Sequence, residues 1–108
     1  MNDRMLSLLG ICRRAGKLKI GAQSVIDSIS SGKASLVIMA KDFSSHSAKP
    51  VVMAAEANNI KTLTINRSKD DISPAVGRLC GVAVIEDEGF ANKITELNEN
   101  ESGGELDG

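Results

Sequence analysis

The sequence predicts an α/β fold, a three-layer α/β/α sandwich in which helices cover both faces of a four-stranded sheet. Its 108 residues are enough for one domain with a substantial apolar core. Short apolar or β-branched runs alternate with segments of helical periodicity in the order α-β-α-β-α-β-α-β-α. The run SLVIMA at Ser35–Ala40 is apolar without alternation, which is typical of a strand buried on both faces. These observations together predict a sheet between two helical layers.

Two helices and one strand are predicted in the first third of the chain. Asp3 is a suitable cap for a helix that ends near Arg14, before Gly16. Apolar residues recur in this helix at helical spacing: Met5, Leu8, Leu9 and Cys12. Leu18–Ile20 then predicts a very short strand, and Ala22–Ser30 predicts a second helix with one apolar face.

The middle of the chain continues the alternation. After the strand at Ser35–Ala40 we expect a third helix capped by Ser47, because Pro50 is tolerated only in a first helical turn. The pair Asn58-Asn59 is expected to close this helix. Thr62–Ile65 is short and β-branched, which indicates the third strand.

Two helices and the last strand are predicted in the final third. Ser68–Asp71 is typical of a helix start, and Ser73 starts or restarts a short helix that is expected to reach Leu79. Val82–Ile85 predicts the last strand. Glu88–Leu97 predicts a final helix with its apolar residues on one face.

The net charge of −1 hides a strong asymmetry along the chain. Residues 1–85 carry 12 basic and six acidic side chains, a net charge of +6, whereas residues 86–108 carry one lysine and eight acids, a net charge of −7. A basic body indicates a nucleic-acid partner, and the acidic end is expected to be a solubilising extension. We therefore predict one domain over residues 1–97 and an acidic, flexible tail over residues 98–108.

The rare residue types narrow the functions further. Phe43 and Phe90 are the only aromatic residues, which counts against folds that stack RNA bases on exposed rings. Cys12 and Cys80 have apolar neighbours, so we expect reduced thiols in a cytoplasmic core. With His46 as the only histidine, a conventional zinc site is not expected.

Catalytic motifs and membrane segments are not found in the sequence. It holds no Gly-x-Ser-x-Gly elbow, Walker loop or dinucleotide fingerprint. Asp42 follows a strand but lacks an identifiable partner, so a turn or capping role is expected for it. No apolar run approaches a membrane span, and no secretory signal is recognisable. We therefore expect no enzyme activity, no metal, no cofactor and no membrane partner.

The stretch Arg13–Gly32 is the best candidate for a binding site. It brings four basic residues and three glycines together: Arg13, Arg14, Lys17 and Lys19, with Gly16, Gly21 and Gly32. A glycine followed at once by a helix lets a ligand approach unpaired N–H groups at the positive end of the helix dipole. Phosphate is the commonest ligand for such a surface. A helix start that needs a glycine, beside a solvated basic loop, explains the same residues.

Two segments resemble a known family. Ala15–Asp42 is similar to the core of the kink-turn-binding ribosomal protein family of L7Ae and L30e. Val84–Leu97 resembles the short bacterial, YlxQ-like branch of that family. The resemblance implies an L30e-like sandwich with a mixed sheet, and binding of structured RNA, often within ribosomes or their assembly factors.

The family motif Gly-x-Asn-Glu-x-x-Lys opens the second helix and reads sheared G·A pairs at an RNA kink. Gly21 matches its glycine, Gln23 stands in place of Asn, Ser24 in place of Glu, and Asp27 in place of Lys. Lys19 matches a basic position before the glycine. The resemblance also matches four positions elsewhere: Lys41, Asp42, Gly77 and Arg78.

Our hypothesis is a cytoplasmic, monomeric, non-enzymatic protein that binds structured RNA, ribosomal or kink-turn-like. Gln23 is expected to read a base edge, while Lys19 and the amides near Gly21 hold phosphate. The complete set of candidate RNA-binding residues is Lys17, Lys19, Gly21, Gln23, Ser24, Lys41, Gly77 and Arg78. The alternative is a protein-interaction module on the same fold, because Ser24 and Asp27 replace RNA-gripping groups. A small-molecule enzyme is the third and weakest alternative.

Overall fold

Helices and strands alternate throughout the computed structural model, which describes the backbone of residues 3–107 and the side chains of residues 3–101. The elements within this range are α1 (Arg4–Arg14), β1 (Leu18–Ile20), α2 (Ala22–Ser30), β2 (Leu36–Met39), α3 (Ser45–Ala57), β3 (Thr62–Thr64), α4 (Lys69–Val76), β4 (Val82–Ile85) and α5 (Glu88–Asp107). The predicted element order is confirmed. The bounds of β1, α2 and β4 agree with the prediction, and Asp3 caps α1 by accepting the Leu6 N–H at 3.1 Å.

The four strands form one mixed sheet in the order β1-β4-β2-β3. β4 is antiparallel to both of its neighbours, while β2 and β3 are parallel. The carboxyl ends of β1, β2 and β3 therefore lie at the same edge of the sheet as the amino end of β4. We call this edge, with the loops that join it, the rim. The edge at the other end of the strands is called the base.

Two cores, one on each face of the sheet, make the molecule three-layered. Leu36 and Ile38 of β2 pack on the face covered by α1, α4 and α5, whereas Val37 packs on the face covered by α2 and α3. Every residue of β4 is buried as well. A strand covered on both faces has no polar side to show, which explains why these runs lack alternation. The predicted three-layer sandwich is confirmed.

The start of α3 differs from the prediction. Ser44, not Ser47, is the cap, and its hydroxyl accepts the Ser47 N–H at 3.0 Å. Pro50 therefore lies in the second turn of the helix instead of the first. The missing hydrogen bond falls on an exposed side of α3, where water can reach the His46 carbonyl that would have accepted it.

The ends of α4 and α5 also differ from the prediction. α4 begins after a capping box of Ser68 and Asp71, as expected, but it ends at Val76 and not at Leu79. Gly77 ends it because its φ of 80° is left-handed. α5 continues past Leu97 to Asp107. The division at residue 97 and the flexibility of the acidic segment remain predictions.

The two cysteines are buried free thiols. Burial, with a smaller effect of the nearby Asp87 carboxylate, raises the pKa of Cys12 to about 11. Burial also raises the pKa of Cys80. Among the described residues, no helix is both long enough and apolar enough to cross a bilayer.

Candidate nucleic-acid interface

Three helices begin at the rim, because α2, α3 and α4 each follow one of the three strands that end there. Backbone hydrogen bonds join neighbouring loops into one row. The Gly21 N–H donates to the Val82 carbonyl at 3.0 Å, and the Ala40 N–H donates to the Gly81 carbonyl at 2.8 Å. The Lys41 N–H donates to the Arg67 carbonyl at 2.9 Å. The rim is therefore a continuous, internally bonded ledge and not a set of independent loops.

The start of α2 is the one place along this ledge where helix amides are left for a ligand among the described residues. Gly21 occupies the cap position with a φ of 96° and a ψ of 149°, which a residue with a Cβ rarely adopts. No side chain caps the first turn of α2. By contrast, Ser44 caps α3 and Ser68 caps α4. The free N–H groups and the positive dipole end of α2 can therefore receive an anion.

Gln23 and Ser24, in the first turn of α2, are both exposed. The Gln23 Nε2 donates a hydrogen bond to Asp27 Oδ1 at 2.9 Å, one helical turn further on. Ser24 lines a shallow depression of about 290 Å³ together with Lys19, Asp27 and Glu86. The predicted polar residues of the second helix thus lie together at the rim and along its flank.

The loop after β2 supports the ledge. Asp42 Oδ1 accepts the Lys69 N–H at 2.9 Å, so its carboxylate serves the start of α4, in line with the capping role predicted for it. Phe43 is half-buried and packs against both cores, with its ring directly over Gly81. It is therefore not a free ring for base stacking. Lys41 is exposed on this loop and presents its charge at the rim.

Gly77 and Arg78 belong to the loop between α4 and β4. Both of their N–H groups donate to the Ser73 carbonyl, at 2.9 and 3.1 Å, which closes the end of α4. Arg78 is exposed, and Leu79 beside it is 69% exposed. The sequence predicted a helix as far as Leu79, whereas Leu79 lies in the loop that follows α4. The signal available was the short distance between Gly77 and Gly81, which leaves no room for a further helical turn.

The structure separates the two lysines that flank Leu18. Lys19 is exposed on β1, projects on the α2 side of the sheet and lines the depression beside α2. Lys17 precedes β1 and lies at the base, where its carbonyl accepts the Glu86 N–H at 2.8 Å. Lys17 therefore lies apart from the other predicted site residues, which the rim and its flank bring together.

Arg67 follows β3 at the far end of the rim, but its charge is already paired. Its Nε lies 2.8 Å from Asp3 Oδ2, and its Nη2 lies 2.7 Å from Glu101 Oε2. The hydrogen bonds that Arg67 donates to the Glu101 and Asp3 carboxylates raise the pKa of Arg67, and its guanidinium lowers the pKa of Asp3. Among the described residues, the other cations at the rim include the exposed Lys41 and Arg78 and the partly exposed Lys69, whose side chain passes close to Gly81, with Lys19 on the flank.

The chain is similar to proteins of one family. A model of the ribosomal protein L7Ae/L30e/S12e/Gadd45 family matches residues 3–95. The chain is 33% identical over 91 residues to an RNA-binding protein YlxQ of Bacillus subtilis, which covers 83% of this chain and 90% of that protein. It is 32% identical over 97 residues to an RNA-binding protein YlxQ of Enterococcus faecium, which covers 90% of this chain and 93% of that protein.

Solved structures share the fold. A protein of unknown function from Bacillus halodurans superposes with a TM-score of 0.84 at 26% identity, covering 91% of this chain and 99% of that one. A 15.5 kD RNA-binding protein of Giardia lamblia superposes with a TM-score of 0.67 at 23% identity, covering 93% of this chain and 89% of that one. At 23% sequence identity, the similarity to the Giardia lamblia protein shows a shared fold only.

Proposed function

The chain belongs to the ribosomal protein L7Ae/L30e/S12e/Gadd45 family, and we propose that it binds structured RNA along the rim. The observation that carries this proposal is the uncapped start of α2 at an edge that also presents Lys41 and Arg78. Both curated relatives carry the name RNA-binding protein, which supports the same function. The proposal is of a binding protein and not of an enzyme.

Phosphate and base contacts are divided between neighbouring groups. The amides that follow Gly21 and the ammonium group of Lys19 hold phosphate oxygens, which position the RNA without reading its sequence. Gln23 reaches a base edge, because its amide carries both a donor and an acceptor on a flexible arm. Lys41 and Arg78 add attraction further along the rim. Lys17, at the base, is not needed for this arrangement.

An RNA kink with sheared G·A pairs is the ligand that the family motif suggests. Ser24 lacks the carboxylate that the motif places next to the amide residue, and Asp27 reverses the charge of the motif's lysine. A well-placed base contact discriminates by about 1–3 kcal/mol. We therefore infer that this chain discriminates kinked RNA less sharply than the motif would, while its attraction to phosphate is retained.

We also propose that the protein is located in the cytoplasm and acts as a monomer. Free, buried thiols are typical of proteins in a reducing compartment. One rim provides one complete binding edge, so a second copy is not required for it.

Fluorescence titration with a kink-turn RNA and with total ribosomal RNA, each at two salt concentrations, tests the proposal. The double variant Lys19→Ala plus Gln23→Ala is expected to bind at least tenfold more weakly than the unmodified chain, since it loses a phosphate contact and a base contact. Lys61→Ala is the matched control, because Lys61 is an exposed cation that precedes β3 at the base.

Two outcomes contradict the proposed function. One is the absence of binding to either RNA at about 50 mM salt, where phosphate attraction is strong. The other is equal binding by the double variant and the unmodified chain. Capture of a protein partner that survives RNase treatment would instead support the interaction-module alternative.

A further inference from the structure

The hydrogen bond between Gln23 and Asp27 determines which way the Gln23 amide points. Gln23 Nε2 lies 2.9 Å from Asp27 Oδ1, with both side chains exposed on the same flank of α2. An ionised carboxylate can only accept hydrogen bonds. The amide must therefore turn its NH₂ group toward Asp27, and the opposite orientation would set two acceptors against each other.

This orientation leaves the carbonyl oxygen of the amide free. Among the described residues, no donor contacts Gln23 Oε1, and the neighbouring Ser24 is itself exposed. An RNA that docks at the start of α2 thus meets a hydrogen-bond acceptor at this point, next to the donors of the helix amides. The two kinds of group are segregated, with amide donors for phosphate and a carbonyl acceptor for a base.

We propose that Asp27 is a positioning residue that orients the Gln23 amide, so that the rim prefers a base offering an imino donor. This inference rests on the proposed function, because it assigns a specificity to the same site. The positioning role also explains why Asp27, an acidic residue, lies where phosphates are proposed to approach. A carboxylate there weakens general attraction to RNA, but its hydrogen bond selects one of two amide orientations. Asp27 makes no ion pair with a described residue that would account for it otherwise.

The test compares two kink-turn RNAs that differ at the sheared guanosines. The first carries guanosine, whose N1–H is a free donor in a sheared pair. The second carries 2-aminopurine, which keeps the amino group and N3 that form the sheared pair but lacks the N1–H and the O6 carbonyl. The unmodified protein is expected to prefer the guanosine RNA roughly tenfold, the effect of one specific base contact.

The variant Asp27→Ala separates orientation from charge. Removing a carboxylate near phosphates is not expected to lower the affinity for either RNA, and the affinity for the 2-aminopurine RNA is expected to rise more, because a freed amide can donate its NH₂ group to the unprotonated N1. The preference for guanosine, however, is expected to fall to within about twofold, because the freed amide can flip. Any effect of 2-aminopurine on the RNA itself is the same for every protein variant, so the change in the ratio isolates the role of Asp27.

Two further variants control the comparison. Asp27→Glu retains an acceptor one turn from Gln23 and is expected to restore the preference for guanosine. Asp70→Ala removes another exposed carboxylate, in the first turn of α4, and is expected to leave the preference unchanged. In the free protein, the Gln23 side-chain amide signals are expected to shift in the nitrogen–proton NMR spectrum of Asp27→Ala and to stay in place in Asp70→Ala.

The outcomes distinguish this inference from the proposed function. Equal guanosine preference in the unmodified protein and in Asp27→Ala overturns the role of Asp27 while leaving RNA binding intact. The same holds if the unmodified protein binds both RNAs equally. Absence of binding to either RNA at about 50 mM salt overturns the proposed function and this inference with it.

Discussion

Arg67 is the residue that joins three distant parts of the chain. Its guanidinium donates to Asp3, which also caps α1, and to Glu101 in α5. The three side chains are 17%, 26% and 35% exposed, so water weakens the pairs without abolishing them. Sequence reasoning identified Asp3 as a cap but could not find Arg67, because the three residues are brought together only by the tertiary fold.

Because the pKa of Asp3 is lowered in the folded state, the stability of the fold depends on pH in the acidic range. Its hydrogen bond with Arg67 is the main cause of this lowering, so the ionised form is favoured in the folded state. The contribution of Asp3 is therefore complete above its ordinary value of about 4 and is lost as the pH falls through the folded pKa. We expect the unfolding free energy to decrease below about pH 4.

Asp3→Asn tests that prediction, since asparagine caps helices as well as aspartate does but cannot ionise. Urea unfolding at pH 7 and pH 3 is expected to show a smaller acid-induced loss in the variant than in the unmodified chain. Asp71, whose pKa is lowered mainly by the Ser68 backbone N–H, contributes equally to both proteins. An identical acid-induced loss in both would rule out the role assigned to the Asp3–Arg67 pair.

Gly81→Ala probes the closest packing at the rim. A Cβ at this position would overlap the ring of Phe43, which itself packs against both cores. We expect a destabilisation of about 1–3 kcal/mol in urea unfolding, the usual cost of overpacking. The double variant with Phe43→Leu is expected to recover part of the loss. Full stability of Gly81→Ala alone would show that the ledge is looser than the contact implies.

At the scale of elements, the sequence predicted the bounds of those helices and strands that depend only on neighbouring residues. The apolar spacing and flanking glycines defined β1 and α2, because the side-chain period and the glycine conformations are properties of the segment itself. The predicted start of α3 was wrong because Ser44, Ser45 and Ser47 all have hydroxyls that can cap a helix. Only the path of the chain around Phe43 selects Ser44 as the cap.

The candidate site shows the same limit. Lys17 and Gly21 are only four positions apart in sequence, and both were predicted to belong to one binding surface. The strand between them rises by about 3.3 Å per residue, which places the two residues roughly 13 Å apart at opposite edges of the sheet. Conversely, Arg78 is far from Gly21 in sequence. The loop that carries Arg78 leads into β4, which begins at the rim between β1 and β2.

This placement predicts different salt effects for the two lysines. Lys19→Ala is expected to weaken RNA binding and to reduce the slope of log affinity against log salt by about 1, as expected for one lost phosphate contact. Lys17→Ala is expected to leave the slope unchanged, since Lys17 lies at the base. Titrations at four salt concentrations measure both slopes. A larger effect of Lys17→Ala would move the RNA from the rim to the base.

At the scale of the whole molecule, charge is divided between a basic body and an acidic end. α5 begins near the base, after β4, and reaches Arg67 at the far end of the rim. Glu99 and Glu101, which follow Leu97 in α5, are therefore carried toward the edge where RNA is proposed to bind. Their attraction for the basic body and their repulsion of phosphate act in the same direction, against RNA.

Deletion of residues 98–108 tests this arrangement and the predicted domain boundary together. The deletion removes four acidic residues, including the Glu101 partner of Arg67. The chain is expected to stay folded, with a loss of about 1 kcal/mol for a partly exposed ion pair. Its affinity for RNA is expected to rise several-fold at low salt. Circular dichroism and RNA titration measure the two effects, and an unfolded product would place the boundary beyond residue 97.

The most direct test of RNA docking on the rim is the change in backbone amide NMR signals when kink-turn RNA is added. The largest shifts are expected at the start of α2, at Gly21, Gln23 and Ser24, with further shifts at Lys41 and Arg78. Signals at the base, such as those of Lys17 and Lys61, should change little. Shifts concentrated at the base, or an undisturbed α2 start at saturating RNA, would contradict docking on the rim.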